Sequence, residues 1–212
     1  MASFVRTMKA GLQVILLILA LTGGAGNAAA DDSQIAVNAR TFVTTLADRT
    51  IQSLTAQGID KAERRDRFRE LMLEYFAFKG IAKWVLGRYW RRASESQREE
   101  FLGLFEDLMV VIYADRFTKY SGEKLDVGRS EIRGKNDILV HSLITRPEGL
   151  KPVAVIWRVS QKNETFKIVD LMVEGLSMGL TQQKEFASVI RMNGGKIEGL
   201  LSELRKRLAA NS

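Results

Sequence analysis

The chain has 212 residues, a formal net charge of +7 and no cysteine. The absence of cysteine excludes disulfide bonds, thiol redox chemistry, cysteine nucleophiles and cysteine-ligated metal. The positive charge favours either ordinary solubility or attraction to anionic membrane surfaces, where each well-placed Lys or Arg contributes about 1 kcal/mol.

The first 30 residues are predicted to be a secretory signal peptide. Arg6 and Lys9 supply its positive start and Leu12–Leu21 its apolar run, which is about half of the ~20 residues that a membrane span needs. Cleavage after Ala30 is therefore favoured over an uncleaved anchor, and we expect an exported protein. The remaining single domain divides into a helical front (31–122), a strand-rich middle (123–174) and a helical end (175–212).

The helical front shows apolar residues at helical spacing. This spacing predicts a first helix over Ile35–Ala56, and a second, highly charged helix follows over Lys61–Tyr75. The charge run is interpreted as a solvated face. A turn and short helix are expected over Phe76–Trp84. The residues Ser94–Gln97 fit a capping box that begins a long helix ending near Tyr120.

The middle of the domain alternates apolar and polar residues with a period of two. Strands are predicted at Lys124–Ile132, Asp137–Thr145, Val153–Gln161 and Thr165–Val173. Short turns between them imply antiparallel neighbours, so the fold class is α+β, with a curved sheet of about four strands wrapped by helices. Because the strands are apolar on more than one side, both faces of the sheet are expected to need cover, from helices or from a filled cavity.

The end of the domain is predicted to be helical again. Thr181 is expected to cap a helix that ends near Met192, and Asn193–Gly195 stops it. A last helix is predicted over Lys196–Leu208, with leucines at helical spacing.

Little in the sequence points to catalysis or to metal. His141 is the single histidine and is read as a structural strand residue, and no ligand cluster or cofactor motif is visible. The residues Gly175–Gly179 match G-x-S-x-G, the pattern of a hydrolase nucleophile elbow. No histidine follows Ser177, as the α/β-hydrolase order requires, so we expect the segment to turn the chain and cap the last helices.

Two strings of the sequence resemble a known family. The run Val85–Ser94, followed by Gln97–Phe101, and the run Ile168–Ser177 look like signatures of the MlaC family, also called the toluene-tolerance family. The pair Gly194-Gly195 matches loosely a glycine tract of that family. The likeness covers nearly the whole predicted mature chain, and members related to hopanoid-linked operons share these strings.

The resemblance implies an α+β roll with an added helical subdomain and a cavity for lipid acyl chains. It implies a non-enzymatic periplasmic phospholipid carrier that shuttles lipid between the inner and outer membranes and maintains outer-membrane lipid asymmetry. The implied partners are an inner-membrane MCE-domain ABC transporter complex, an outer-membrane lipoprotein–porin complex and transient contact with membrane. No cofactor, metal or nucleic acid is expected, and the protein is expected to be a monomer.

Residues that line an apolar pocket and residues of a filled core look alike in a sequence. Each predicted lining residue could therefore equally belong to the core. The predicted lining residues are Leu108, Ile112, Val140, Ile144, Val155, Trp157, Ile168 and Met172. Tyr89 and Trp90 are expected to anchor the helical subdomain, and Arg88, Arg91 and Arg92 either face a membrane or partner or form a solvated junction. A serine lipid hydrolase that uses Ser177 and an envelope adaptor without ligand stay open as alternative functions.

Overall fold

A computed structural model describes residues 25–211, and within them the chain forms six α-helices and one sheet of five strands. The helices are α1 Ala25–Leu54, α2 Lys61–Tyr75, α3 Phe78–Leu86, α4 Glu95–Ala114, α5 Met178–Met192 and α6 Ile197–Ala209. The strands are β1 Lys124–Gly134, β2 Asp137–Thr145, β3 Val153–Lys162, β4 Thr165–Val173 and β5 Leu176–Ser177. Residues Ala36–Ser212 form one compact unit, and the contacts described below lie within it. Residues 1–24 of the predicted signal peptide lie outside the described residues, and its last six residues, 25–30, belong to α1.

Local side-chain hydrogen bonds fix where the helices begin. Asp60 accepts a hydrogen bond from the backbone N–H of Glu63 at 2.8 Å and so caps α2. The predicted capping box of α4 is confirmed. Ser94 Oγ accepts from the Gln97 N–H at 3.2 Å, and the Gln97 side chain accepts from the Ser94 N–H at 3.1 Å.

Two predicted helix ends are wrong. The long helix α4 ends at Ala114, and a 3-10 turn over Asp115–Lys119 replaces its expected last turn, because the Thr118 hydroxyl donates to the Asp115 carbonyl at 2.7 Å. The helix α5 begins at Met178, capped by Ser177 and not by Thr181. Ser177 accepts the Leu180 N–H at 3.0 Å, while the Thr181 hydroxyl donates to the Ser177 carbonyl.

The sheet runs in the order β1-β2-β3-β4-β5, and every neighbouring pair is antiparallel. The sequence analysis gave about four strands and missed the two-residue β5, which is too short for a period of two to show. The turn between β3 and β4 places Asn163 and Glu164 at φ of 48° and 62°. Both central residues of a type I′ hairpin turn have positive φ, so this turn closes the hairpin tightly.

The core of the unit has two parts. The helical core is built from α3 to α6 and the 3-10 turn Gly87–Arg91, and stacked and edge-on rings of Phe101, Phe105 and Phe186 lie at its centre. Tyr89 is buried there and Trp90 packs against it, as predicted. The sheet core joins the sheet to α1 and α2. Its fully or almost fully buried members are Leu46, Leu54, Leu71, Tyr75 and Ile168.

The expectation that both faces of the sheet are apolar is wrong. Directly paired residues share a face, and the register puts Val140, Trp157 and Leu171 together on what we call the Trp157 face. The opposite face, which we call the His141 face, carries Glu131 beside His141 and Arg158 in an ion pair with Asp137 at 2.9 Å. The apolar residues Ala154 and Ile156 misled the sequence analysis because charged neighbours from the adjacent strands share that face. Within the described residues, no helix is long and apolar enough to cross a membrane.

Candidate functional site

The Trp157 face consists of four rows of side chains that run across the strands. The first row is Leu125, Ile144 and Val153, the second is Val127, Ser142, Val155 and Val173, the third is Ser130, Val140, Trp157 and Leu171, and the fourth is Ile132, Ile138, Val159 and Ile168. A bulge in the β3–β4 register restores the alignment of the fourth row. All but two of these side chains are apolar, so the face offers an almost continuous apolar surface.

Helices α1 and α2 cover part of this face. Ile168 is fully buried against Leu46, Leu54, Leu71 and Tyr75, and Trp157 and Leu171 pack against the same cluster. The Phe42 ring bridges the two sides, with its centroid 5.3 Å from Tyr75 on α2 and 5.7 Å from Phe166 on β4. The Ser130 hydroxyl donates to the Ala36 carbonyl at 2.9 Å and ties β1 to α1.

Burial changes along the strands. In the fourth row, Ile138, Val159 and Ile168 are 1%, 0% and 0% exposed, and only Ile132 on the edge strand β1 is half-buried. In the first row, all three side chains are only half-buried, and so are Trp157 and Leu171 in the third. One end of the Trp157 face is therefore solid core, while the other end keeps apolar surface that the described side chains do not fully cover.

One polar network lies inside this apolar face. The Trp157 indole Nε1–H donates to Ser142 Oγ at 2.9 Å, and the Ser142 hydroxyl donates to the Val155 carbonyl at 3.0 Å. These polar atoms satisfy one another, so no charged or unpaired group has to be hydrated at that position. The sequence analysis missed Ser142, although its alternation with Val140 and Ile144 in β2 was a usable signal.

The structure does not bring all eight predicted lining residues together. Ile144, Val140, Val155, Trp157 and Ile168 share the Trp157 face. Leu108 and Ile112 belong to the helical core.

Met172 pairs with Ile156 and so lies on the His141 face, opposite Trp157. Residues 168 and 172 are an even number of positions apart, so a regular strand would put both side chains on one face. The bulge between Ile168 and Asp170 shifts the alternation by one residue, and the two side chains therefore lie on opposite faces. The role of each residue in lipid binding stays a prediction.

A separate groove of about 520 Å³ lies between α2, α4 and the end of α6. Lys61, Arg65, Arg69 and Asp107 line it, and its cations are paired with acids: Arg69 with Glu106 and Asp107, and Arg65 with Asp115. Burial lowers the pKa of Arg69, but the hydrogen bonds to Glu106 and Asp107 outweigh it and raise that pKa overall. Because a charged lining is costly to cover with hydrocarbon, this groove is unsuited to acyl chains.

Ser177 and His141 have structural surroundings. The Ser177 hydroxyl donates to the buried Asp170 carboxylate at 2.6 Å, and its oxygen accepts the Leu180 N–H, so the predicted capping role of Ser177 is confirmed. Asp170 also accepts the Gly179 N–H at 3.1 Å and thereby holds the turn from β4 into α5. His141 Nε2 lies 3.1 Å from Glu131, outside good hydrogen-bond geometry. No histidine hydrogen-bonds to Ser177 in the described residues, so the Ser–His pair of a hydrolase triad is not formed there.

With this geometry established, the chain can be compared with known proteins. The family model described as MlaC protein matches residues 44–206. The chain belongs to the MlaC family. The match spans α1 to α6 and includes both strings that the sequence analysis singled out, which confirms the resemblance.

One relative of this MlaC-family chain is the Haemophilus influenzae protein named intermembrane phospholipid transport system binding protein MlaC. The two are 28% identical over 146 residues, which cover 68% of this chain and 65% of the relative. The chain thus spans slightly less than two thirds of that relative's length.

A similar solved structure is that of a phospholipid-binding protein from Ralstonia solanacearum in complex with a phospholipid. It superposes with a TM-score of 0.72 at 22% identity and covers 81% of this chain and 97% of that chain. This likeness confirms the α+β fold.

Proposed function

We propose that this protein is a non-enzymatic carrier that binds phospholipid, with the acyl chains held against the half-buried end of the Trp157 face. The observation that carries the proposal is the apolar row Leu125, Ile144 and Val153, which the described side chains leave half-covered in a chain of the MlaC family. Apolar surface that stays partly open beside a solid core is typical of a ligand site. The names of the Haemophilus and Ralstonia proteins agree with a phospholipid as that ligand.

The energetics of acyl chains favour an enclosed site. A diacyl lipid carries about 30 methylene groups, and each costs about 0.8 kcal/mol when it moves from apolar surroundings into water. Exposure of both chains would therefore cost on the order of 25 kcal/mol. The Trp157 face supports the proposal as one apolar wall of such a site, because its four rows present no charged side chain. A head group left in water would keep its hydration and would need no buried polar site.

The proposed cellular role is suggested by the family. We propose that the protein works in the periplasm and shuttles phospholipid between the inner and outer membranes, which would maintain the lipid asymmetry of the outer membrane. Its partners in this role are an inner-membrane MCE-domain transporter complex and an outer-membrane lipoprotein–porin complex. The signal peptide predicted over the first 30 residues supports export.

The test is native mass spectrometry of the protein purified from cells. We expect a population whose mass exceeds that of the polypeptide by one or more phospholipid molecules, released on denaturation and identified after extraction. A bare polypeptide mass under gentle ionisation would contradict the carrier and favour an adaptor. Lysophospholipid or free fatty acid in place of intact lipid, lost in Ser177→Ala, would contradict the non-enzymatic proposal.

A further inference from the structure

The surface around α3 carries an unusual excess of positive charge. Between Tyr75 and Glu95 the chain contains five cations and no acid. They are Lys79, Lys83, Arg88, Arg91 and Arg92, and all five are exposed. None of them forms an ion pair with a described residue, so their charges are not neutralised by a neighbouring acid.

Two of these cations are held in place by one tyrosine. The Arg88 guanidinium lies 5.1 Å from the centre of the buried Tyr89 ring and donates to the Tyr89 hydroxyl at 3.1 Å. The Arg92 guanidinium lies 6.0 Å from the same ring centre. Two like charges ordered around one ring repel each other, so the arrangement favours the approach of an anion from solvent.

The first turns of α5 extend this surface. The helices α3 and α5 pack closely: the Gln183 side-chain amide donates to the Trp84 carbonyl at 2.6 Å, and the Trp84 ring lies directly against Gly179. Lys184 adjoins Gln183, is exposed and has no ion-pair partner in the described part of the chain. The nearby acid Glu185 is already paired with Arg207 at 2.6 Å. We call Lys79, Lys83, Arg88, Arg91, Arg92 and Lys184 the basic surface.

Two exposed leucines lie in the segment that leads into α5. Leu176 in β5 is 66% exposed and Leu180 in the first turn of α5 is 44% exposed. Leu180 and Lys184 are four residues apart on one helix and therefore share a face. A single exposed leucine is ordinary, but exposed leucines in a segment that also carries an unpaired cation have the composition of a segment that lies in the head-group region of a bilayer.

We propose that the basic surface, with Leu176 and Leu180, docks the protein on an anionic membrane. The cations contact lipid phosphates while the two leucines enter the boundary with the acyl chains. The inference rests on the proposed function, because a lipid carrier exchanges its cargo at membranes, where its partner complexes also lie. It adds the part of the molecule that makes this contact: the α3–α5 side.

The experiment measures co-sedimentation of the full chain with vesicles. Vesicles that are half phosphatidylglycerol and half phosphatidylcholine are compared with vesicles of phosphatidylcholine alone. The test variant is Lys83→Gln, Arg91→Gln and Lys184→Gln, whose side chains make no hydrogen bond or ring contact recorded in the structure. At about 1 kcal/mol for each cation, we expect partition to the anionic vesicles to fall on the order of 100-fold.

The matched control removes the same charge elsewhere. The control variant is Lys135→Gln, Lys162→Gln and Lys206→Gln, which leaves the same net charge. These exposed lysines lie in the β1–β2 turn, at the end of β3 and on α6. This control should bind nearly as well as the original chain. For the apolar contact, Leu180→Ser should weaken partition about tenfold, while Leu150→Ser, at a leucine that is 53% exposed in the β2–β3 loop, should not.

The outcomes separate the docking surface from the lipid-carrier function. An equal loss of vesicle binding in the two triple variants would show that only net charge matters and would overturn the proposal. Equal binding of the unaltered protein to neutral and anionic vesicles would overturn it as well. Unchanged binding in the test variant would also overturn it and leave the basic surface to a protein partner. Lipid extracted from each variant provides the second readout. A test variant that retains its normal lipid content but no longer binds anionic vesicles supports the docking surface. An absence of lipid in the unaltered protein would contradict the proposed carrier function but not the docking surface.

Discussion

Trp157→Ala is the substitution that most directly tests the proposed lipid site. The indole is half-buried, packs against the sheet core and donates a hydrogen bond to Ser142. If acyl chains lie against the uncovered part of the ring, its removal takes away a wall of the site as well as some packing of the protein. The effect should then depend on whether lipid is bound.

The expected magnitude follows from the burial. A fully buried Trp covers about 200 Å². Trp157 leaves only the smaller part of its surface exposed, so it covers on the order of 150 Å². At about 25 cal/mol per Å² this amounts to about 4 kcal/mol, and the hydrogen bond to Ser142 adds about 1 kcal/mol. We therefore expect the lipid-free protein to lose about 5 kcal/mol, at the upper end of the ~3–5 kcal/mol typical of Trp→Ala in a solid core. Lipid-loaded protein should lose more, because a ligand that binds the folded state stabilises it.

The assay compares denaturant unfolding of delipidated and lipid-loaded protein, together with lipid retained per folded molecule. Trp157→Phe keeps most of the ring and should cost about 1 kcal/mol in both states. The matched control is Ile190→Ala in the helical core, where the side chain is 0% exposed. It should cost about 2–5 kcal/mol, equally with and without lipid.

The result that would refute this reasoning is equal destabilisation of Trp157→Ala in the two states, with lipid retention the same as in Ile190→Ala. Trp157 would then be ordinary packing, and the half-buried end of its face would not line the lipid site.

Four further predictions concern other parts of the chain. Val155→Trp should exclude lipid while circular dichroism still reports a folded protein, and full lipid content in this variant would move the site away from β3. Ser177→Ala should cost about 1 kcal/mol in thermal unfolding through the lost cap, and an ester-hydrolysis assay should detect no activity before or after the change. Gly179→Ala would place a Cβ 1.9 Å from the Trp84 ring and should cost about 1–3 kcal/mol, whereas Gly103→Ala on the exposed side of α4 meets nothing within 4 Å and should stabilise by about 0.5–1 kcal/mol. Exchange of lipid with anionic vesicles should slow as salt rises, because surface charges are screened over about 10 Å at 0.1 M, and salt-independent exchange would assign the net charge to solubility alone.

The family membership was available from two short strings, because Val85–Ser94 and Ile168–Ser177 resemble signatures of the MlaC family, and both lie within the residues that the family model matches. The helix α2 and the strands β2 and β4 were also predicted with the bounds that the structure has. Their signals are local: a hydrophobic period and a cap or turn residue at each end decide them within a few neighbours.

The sequence by itself determined the order of helices and strands, the antiparallel sheet and the side of β3 on which Trp157 lies. Tertiary structure alone decided what surrounds each side. Pairing with β1, β2 and β4 brought Glu131, His141 and Asp170 to one face, and the bulge beside Ile168 sent Met172 to that face as well. The tertiary structure also placed Leu108 in the helical core and left the first row of the Trp157 face half-covered. Periodicity reports which residues along one strand or helix point the same way, but it carries no information on which segment packs against them, because that choice is made by contacts between residues far apart in the chain.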